Sequence, residues 1–404
     1  MTTPNPIRAA FPLLARHHGS ERFVYLDSAA TCLMPSSVID AVRDFSRNYP
    51  GSVHRGSHRL AREATTLYEG VRARVRDFLG AAELAEIIFV RGATQGLNLL
   101  ARSLGETNLE EGDQVVVSAL EHHANLIPWQ QACQRHRAQL RILPLDDRGD
   151  IDLAAAAQIL NARTRIVALT HISNVLGTIN PLESLIAMAN QVGAITVIDG
   201  AQSAGHLPVN LQELNCDFFV ASGHKMLGPT GVGILYGRRS ALERIRPIET
   251  GGAMVTDVTW SEASFAELPY RLEPGTPPAA QVVGLGAAID FLNLHGLQTL
   301  ARIEAELTEY ALDGLKAIEA VRIVGAPRQR GPLISFLVDG LHSYDLSELL
   351  DHQGIALRAG THCAQPLIHQ LGLDSTVRAS LAFYNDRDDI DRFLEALRHA
   401  LTFA

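Results

Sequence analysis

Apolar residues recur along this chain at two alternating periods. Over 60–79 they fall at Leu60, Ala64, Leu67, Val71, Val75 and Phe78, the spacing of one buried helix face. After Gly80 comes a short continuous run, Ile87-Ile-Phe-Val90, then Arg-Gly-Ala-Thr94-Gln and a helical stretch to Leu104. The alternation repeats. Continuous runs at 115–118, 140–145, 166–169, 195–199, 218–221 and 232–236 predict strands, and helical patterns at 127–137, 153–160 and 182–192 fill several of the gaps. Short apolar strands separated by helices predict a mostly parallel sheet covered on both faces. The last two runs are joined only by 222–231, too short for a helical crossover, so that pair is expected to be antiparallel.

A Pro/Gly-rich stretch, Leu272-Glu-Pro-Gly-Thr-Pro-Pro278, marks a turn before long helical patterns over 280–320. Strands at 333–338 and 377–382 and helices at 344–353 and 388–401 complete a smaller α+β unit. The expected organisation is an N-terminal arm (1–24) packing on the small domain, a large α/β domain (25–280) and a small C-terminal α+β domain (281–404). Residues 1–50 show no periodic core pattern of their own and are expected to wrap onto one of the domains.

At 404 residues the chain is long enough for two cores. A hydrophobic content of 47% with 20% charged residues describes a soluble globular protein. The net charge of −9, with no dense Lys/Arg run, argues against nucleic acid as a partner. No run approaches the roughly 18 apolar residues of a membrane span. The stretch 9–15 is short and broken by Pro12, so a secretory signal is not expected. Cys32, Cys133, Cys216 and Cys363 are scattered singly without a CxxC, which supports neither a zinc knuckle nor a disulfide framework. His54 and His58 lie four apart, but Gly56 stands between them and no third ligand has a telling spacing, so no metal is expected. The chain reads as cytoplasmic.

Lys225 ends the run Asp217-Phe-Phe-Val-Ala-Ser222-Gly-His224-Lys225, and Asp199 closes an earlier strand in Ile198-Asp199-Gly-Ala-Gln202. Pyridoxal phosphate chemistry needs such a pair: an amine to form a Schiff base with the aldehyde, and a carboxylate to keep the pyridine nitrogen protonated. Strand ends are where an α/β sheet presents them. Thr94 opens a helix, where free N–H groups receive a phosphate, although a Thr there also reads as a plain cap. Ser222 and His224 flank the lysine and could donate to the same phosphate. His122 and His123 follow a strand, so that one ring could stack on the pyridine or both could simply be solvated. Arg378 lies inside a strand pattern, where a substrate carboxylate or an internal Asp or Glu would satisfy it. Cys363 sits in the polar loop Leu357-Arg-Ala-Gly-Thr-His362-Cys-Ala-Gln-Pro366, where Arg358 and His362 would favour thiolate and a nucleophilic role. Cys133 and Cys216 read as small buried hydrophobes, and Cys32 fits either reading.

These residues together resemble a group II cysteine desulfurase of the pyridoxal-phosphate-dependent aminotransferase class V superfamily, fold type I. The resemblance runs from Tyr25-Leu-Asp-Ser-Ala-Ala-Thr31 through Gly51-Ser-Val-His54-Arg55-Gly, Arg91-Gly-Ala-Thr94-Gln, Glu121-His-His-Ala-Asn125, Ser173-Asn174-Val-Leu-Gly-Thr and Asp199-Gly-Ala-Gln202. It continues in Ser222-Gly-His-Lys225, Gly228-Pro-Thr-Gly-Val-Gly, Glu273-Pro-Gly-Thr276-Pro, Arg358-Ala-Gly-Thr-His-Cys363-Ala-Gln-Pro and Arg378-Ala-Ser. The cysteine loop is most similar to the CsdA type, close to the SufS type. The resemblance implies that Lys225 carries the cofactor, Asp199 pairs with its pyridinium, Gln202 meets its phenolic oxygen, and His122 stacks on the ring and assists proton transfer. It implies Thr94, Ser222 and His224 as phosphate ligands, with Thr276 reaching that phosphate from the partner subunit of a homodimer. Asn174, Arg358 and Arg378, with His54 and Arg55, are implied as substrate-binding residues. Pro278 and Ala253 depart from the family pattern, near the expected subunit contact.

The implied reaction takes L-cysteine to L-alanine and leaves a persulfide on Cys363, which a SufE-like or CsdE-like acceptor protein then takes over. Rivals on the same scaffold are a selenocysteine lyase or cysteine sulfinate desulfinase, for which Cys363 would be dispensable, and an aminotransferase or epimerase, which needs no cysteine there. A non-catalytic sulfur-relay scaffold is the reading from another class, opposed by the intact Lys225, Asp199 and Cys363.

Overall fold

The continuous apolar runs become the strands of one buried sheet. The computed structural model describes residues 6–19 and 21–403. Its main sheet contains β1 (Ile87–Val90), β2 (Gln114–Ser118), β3 (Gln139–Leu143), β4 (Thr164–Thr170), β5 (Ile195–Asp199), β6 (Phe218–Ser222) and β7 (Gly233–Gly237). Their spatial order is β1-β7-β6-β5-β4-β2-β3. Strands β2 to β6 pair in parallel, whereas β7 runs antiparallel to both β1 and β6. The short 222–231 connection thus produces the antiparallel neighbour that its length requires.

Successive residues of each strand face opposite cores, which is why both parities are apolar. Ile87, Phe89, Val116 and Phe219 enter one core, and Ile88, Val90, Val115 and Val220 enter the other. Around the sheet lie α1 (Ser36–Asn48), α2 (Arg59–Leu79), α3 (Ala93–Asn108), α4 (Ile127–His136), α5 (Leu182–Gln191) and α6 (Ala279–His295). The helix α1 was not expected from the pattern. Only Val38 and Phe45 in it are buried, so its apolar stripe is thin and needs a partner to become visible. That partner is α6, which packs on both α1 and α2. The approach is close: a Cβ on Gly284 of α6 would lie 2.6 Å from a Val42 methyl.

A second, fully antiparallel sheet follows α7 (Leu297–Lys316). It contains β8 (Val321–Val324), β9 (Leu333–Val338), β10 (Arg358–Gly360) and β11 (Thr376–Ser380), in the order β8-β9-β11-β10. Helices α7, α8 (Ser343–Asp351) and α9 (Arg387–Ala400) cover it, with Leu315, Phe336, Leu350, Ile390 and Phe393 in one cluster. Of the N-terminal arm, residues 1–5 and 20 lie outside the described residues. Phe11 is buried against Phe291 of α6 and against Tyr384, and Arg8 pairs with Asp389 of α9 at 2.7 Å. Tyr384 and Asp389 belong with the second sheet, but α6, placed by the expected boundary almost wholly in the small domain, packs on α1 and α2, so the arm touches both parts.

One buried charge network pins α2 to the edge of the main sheet. Arg72, 1% exposed, donates to Glu273 at 2.7 and 3.0 Å, to Glu69 at 2.8 Å and to the Ile87 carbonyl at 2.7 Å. Glu273 also accepts the Phe89 N–H at 2.7 Å. Removing one member of a buried pair strands the other charge, which typically costs about 3–5 kcal/mol. Arg72→Met is therefore expected to lower the unfolding free energy by about 3 kcal/mol or more, read from the denaturant midpoint. An unchanged midpoint would show that the network contributes nothing net.

Candidate active site

The carboxyl ends of β2, β4, β5 and β6 converge on one cavity of about 190 Å³. Ligands of open α/β sheets bind at such edges because the chain turns there into loops and helix starts. Among its lining residues are Thr94, His122, Asn174, Asp199, Gln202, Ser222, His224, Lys225, Arg358 and Arg378. Ten residues singled out along the sequence thus share one wall-to-wall space. Larger depressions, of about 430 and 990 Å³, lie elsewhere and contain none of them. Chemistry rather than volume marks the site.

Asp199 ends β5 and is buried, with Oδ1 accepting the Ala201 N–H at 3.0 Å. Burial pushes its carboxyl up and the Lys225 charge pulls it back. Lys225 lies in the turn that follows β6; burial lowers its amine, opposed by Asp199. An amine shifted downward is a better nucleophile and base at neutral pH. At the other side of the cavity α3 begins at Ala93, whose N–H donates to Ser222 Oγ at 2.9 Å. The remaining first-turn N–H groups have no carbonyl within the helix to meet them, and the helix dipole adds positive potential. His224 Nδ1 and Thr31 Oγ1 lie 3.2 Å apart. Gln202 Nε2 donates to the Ala29 carbonyl at 2.9 Å.

His122 accepts the Ala124 N–H on Nδ1 at 3.0 Å. That bond leaves Nε2 as the nitrogen carrying the proton of a neutral ring. Burial, with Lys225 nearby, lowers its imidazole to about 3.

Two arginines meet across the second sheet, where β10 and β11 place Arg358 directly opposite Arg378. Like charges in register are unfavourable unless an anion lies between or beside them. Arg378, 1% exposed, meets Asp27 at 3.1 Å and the Asn174 carbonyl at 2.9 Å, while its buried Nε has no protein partner. Arg358 NH2 stands 3.9 Å from Cys363 Sγ. The cysteine loop holds a tight conformation: His362 and Cys363 are both left-handed, at φ 52° and 57°. Non-glycine residues there cost about 1–3 kcal/mol each and persist where the surroundings hold them. Here His123 N–H donates to the Cys363 carbonyl at 2.7 Å and Asn174 Nδ2 to the His362 carbonyl at 2.6 Å.

His362 does not act on the thiol in the way its position in the sequence suggested. Its Nε2 meets Thr376 Oγ1 at 2.9 Å, and burial with the neighbouring arginines lowers the ring to about 3, so it brings no positive charge. His362 lines the cavity, whereas four expected residues lie outside its lining: Cys363, next to His362, and three more remote ones. His54, exposed at φ 67°, bonds Glu69 at 2.7 Å; Arg55 lies against Gly252; Thr276 is exposed. Sequence reasoning passed over Asp27, although its motif was in view, and also Glu121. The latter is buried, accepts from Asn125 Nδ2 at 2.6 Å and Thr170 N–H at 3.0 Å, and is pushed up to about 8 by burial.

The aminotransferase class-V family matches residues 24–393. A protein named probable cysteine desulfurase from Halalkalibacterium halodurans is 46% identical over 391 residues, 97% of this chain and 96% of its own. The crystal structure of the cysteine desulfurase CsdA from Escherichia coli, with an S-sulfonic acid, superposes with a TM-score of 0.92 at 38% identity, over 100% of this chain and 99% of that one. The apo cysteine desulfurase of Thermococcus onnurineus gives 0.94 at 37% identity, again over 100% and 99%.

The site's histidines carry a pH signature. Burial lowers His122 and His362 to about 3 and His224 to about 4, from 6.5. Below pH 6.5 the unfolded chain binds protons that the folded rings refuse, so their contribution to stability is complete above 6.5 and is lost as pH falls toward 4 and 3. The denaturant midpoint is expected to drop between about pH 7 and pH 5, and His362→Asn to flatten that limb. An imidazole NMR titration with His122 charging near its ordinary value would contradict this.

Proposed function

The chain belongs to the aminotransferase class-V family and, within it, to the cysteine desulfurases; we propose that it removes sulfur from L-cysteine, with Lys225, Asp199 and Cys363 as the central residues. The observation that carries this reading is one cavity shared by the half-buried Lys225 and the buried Asp199, with Arg358 of its wall 3.9 Å from the Cys363 sulfur.

Pyridoxal phosphate is the cofactor of this chemistry, and the cavity fits it. An amine for the aldehyde, a carboxylate for the ring nitrogen and a helix start with Ser222 for the phosphate surround one space. When bound, it supplies an electron sink for charge developing at the substrate Cα. Lys225 Nζ would hold the aldehyde carbon and then move the Cα proton. Asp199 would keep the ring nitrogen protonated, and Gln202 would face the phenolic oxygen. His122 would lay its neutral ring against the cofactor and offer the Nε2 proton. Thr94, Ser222 and His224 would hold the phosphate. Asn174, Arg358 and Arg378 would take the substrate carboxylate, an anion suited to two facing arginines.

Cys363 Sγ would then attack the substrate sulfur. A sulfur–sulfur bond forms, the Cβ–S bond breaks, and alanine leaves behind a persulfide. The half-buried cysteine offers that sulfur to an acceptor, for which a SufE-like or CsdE-like protein is our reading. Thr276, His54 and Arg55, all outside the cavity, fit a homodimer in which the partner subunit completes the site. No helix among the described residues is long and apolar enough to cross a membrane, and we place the reaction in the cytoplasm, where a free thiol persists.

Two variants separate the roles. Cys363→Ala is expected to abolish alanine release from L-cysteine under reductant while retaining the cofactor and release from selenocysteine or cysteine sulfinate. Equal release from cysteine by both proteins would remove Cys363 from the mechanism. Asp199→Asn should lower kcat by about 10²-fold or more, since it no longer holds the ring proton. An undiminished kcat would refute that role.

A further inference from the structure

Directly behind the lysine turn lies a cluster of ionisable side chains that the reaction above does not use. Cys32, His206 and Glu304 come from the segment before α1, from the turns after β5 and from α7, and each is no more than 5% exposed. Glu304 places both oxygens on His206 Nδ1, at 2.9 and 3.0 Å. His206 Nε2 faces Cys32 Sγ at 3.9 Å. Cys32 Sγ in turn lies 3.3 Å from the carbonyl oxygen of Lys225, and Cys32 N–H donates to the His224 carbonyl at 2.9 Å.

The donors and acceptors form one consistent chain. Glu304 accepts from Nδ1–H, Nε2–H points at the Cys32 sulfur, and the thiol proton meets the Lys225 carbonyl at 3.3 Å, nearer than the Ser28 carbonyl at 3.6 Å. Burial pulls the His206 ring down, but the Glu304 carboxylate and Cys32 outweigh it and hold the imidazole well above its usual value. A buried pair of this kind is weak evidence for net stability, so its role lies in what it fixes. Its two ends identify that. Glu304 Oε1 also accepts the Phe383 N–H at 3.2 Å, just beyond β11, the strand of Arg378. At the opposite end the packing leaves no space: a Cβ on Gly205 would lie 2.9 Å from the Lys225 carbonyl oxygen and 3.0 Å from Met226 Cα.

We propose that Cys32, His206 and Glu304 are positioning residues, a buried relay that fixes the backbone of Lys225 and ties the lysine turn to the part of the chain carrying Arg378 and Cys363. The inference rests on the reading of Lys225 as the cofactor-bearing residue. The charged groups acting on that amine are Asp199, Arg378 and Arg358, so a displaced lysine changes its field and its reach together.

The test uses full-length cofactor-loaded protein in the wild-type, Cys32→Ala, Cys32→Ser and His206→Gln forms. Two readouts are followed: alanine release from L-cysteine, and the pH midpoint of the bound cofactor's visible absorption. Cys32→Ala and His206→Gln should each lower kcat about tenfold with KM within about twofold, and should shift the absorption midpoint. Cys32→Ser, which keeps a donor for the Lys225 carbonyl and an acceptor for His206, should recover both. A lower melting temperature, with kcat per loaded chain and the absorption midpoint at wild-type values, is what a purely structural role produces and would overturn the relay. A wild type that titrates normally but releases no alanine overturns the functional reading and leaves the relay to be judged by absorption. A wild type that takes up no cofactor overturns both.

Discussion

The arrangement of this protein depends on how a surplus of positive charge is kept out of water. Lys225, Arg358 and Arg378 line one small cavity, and two of them face each other across adjacent strands. Asp199 and Asp27 are the carboxylates set against them. At short range in a poorly hydrated space, such charges interact several-fold more strongly than at the surface. The consequences spread outward. Burial, reinforced by these charges, lowers the rings of His122, His224 and His362, burial lowers the lysine amine against the pull of Asp199, and an anion is favoured in the space between. In the function proposed above, a substrate carboxylate and a cofactor phosphate would offset that imbalance.

Holding like charges together requires a frame that does not yield, and the frame is assembled from distant pieces. The strand ends of the parallel sheet supply Asp199 and Ser222 at the edge where the backbone turns. The second sheet supplies Arg358 and Arg378, and among its contacts with the segment after β4 is Asn174, which bonds the His362 carbonyl with its amide and accepts from Arg378 on its own carbonyl. One residue thereby links the loop after β4, Arg378 and the cysteine loop. The left-handed backbone at His362 and Cys363 is tolerable only because such bonds meet the loop from outside.

Much of the fold was legible because its signal is local. Strands buried on both faces must be apolar at every position, so β1, β5 and β6 stood out as continuous runs. Even the antiparallel turn of β7 followed from a connection length. Elements whose burial is slight were harder. Helix α1 buries two residues, and β10 is three residues long inside a segment that reads as loop. Among the site residues, Lys225 and Asp199 were visible because an amine and a carboxylate at strand ends are unusual enough to suggest a chemistry. His362 was misjudged for a physical reason: adjacency in sequence to Cys363 says nothing about which way its ring turns, and the ring turned to Thr376.

By itself, then, the sequence determined the order of strands and helices, the sheet's parallel character, the family and the residue types that its chemistry needs. The elements are written in period over a few turns of chain, and the family in an ordered series of motifs that resembles it from end to end. Only the tertiary structure decided who stands beside whom: Arg358 against Arg378, Asp27 as the partner of Arg378, and Cys32 and His206 behind Lys225. Those neighbours are set by strand register and by the packing of α7 and the N-terminal segment, which bring together residues far apart along the chain. A one-residue slip in register would turn every side chain of a strand to its opposite face while leaving the local pattern almost unchanged. Protonation follows the same rule, because burial and nearby charge, not residue type, place His122 and His206 on opposite sides of the ordinary imidazole value.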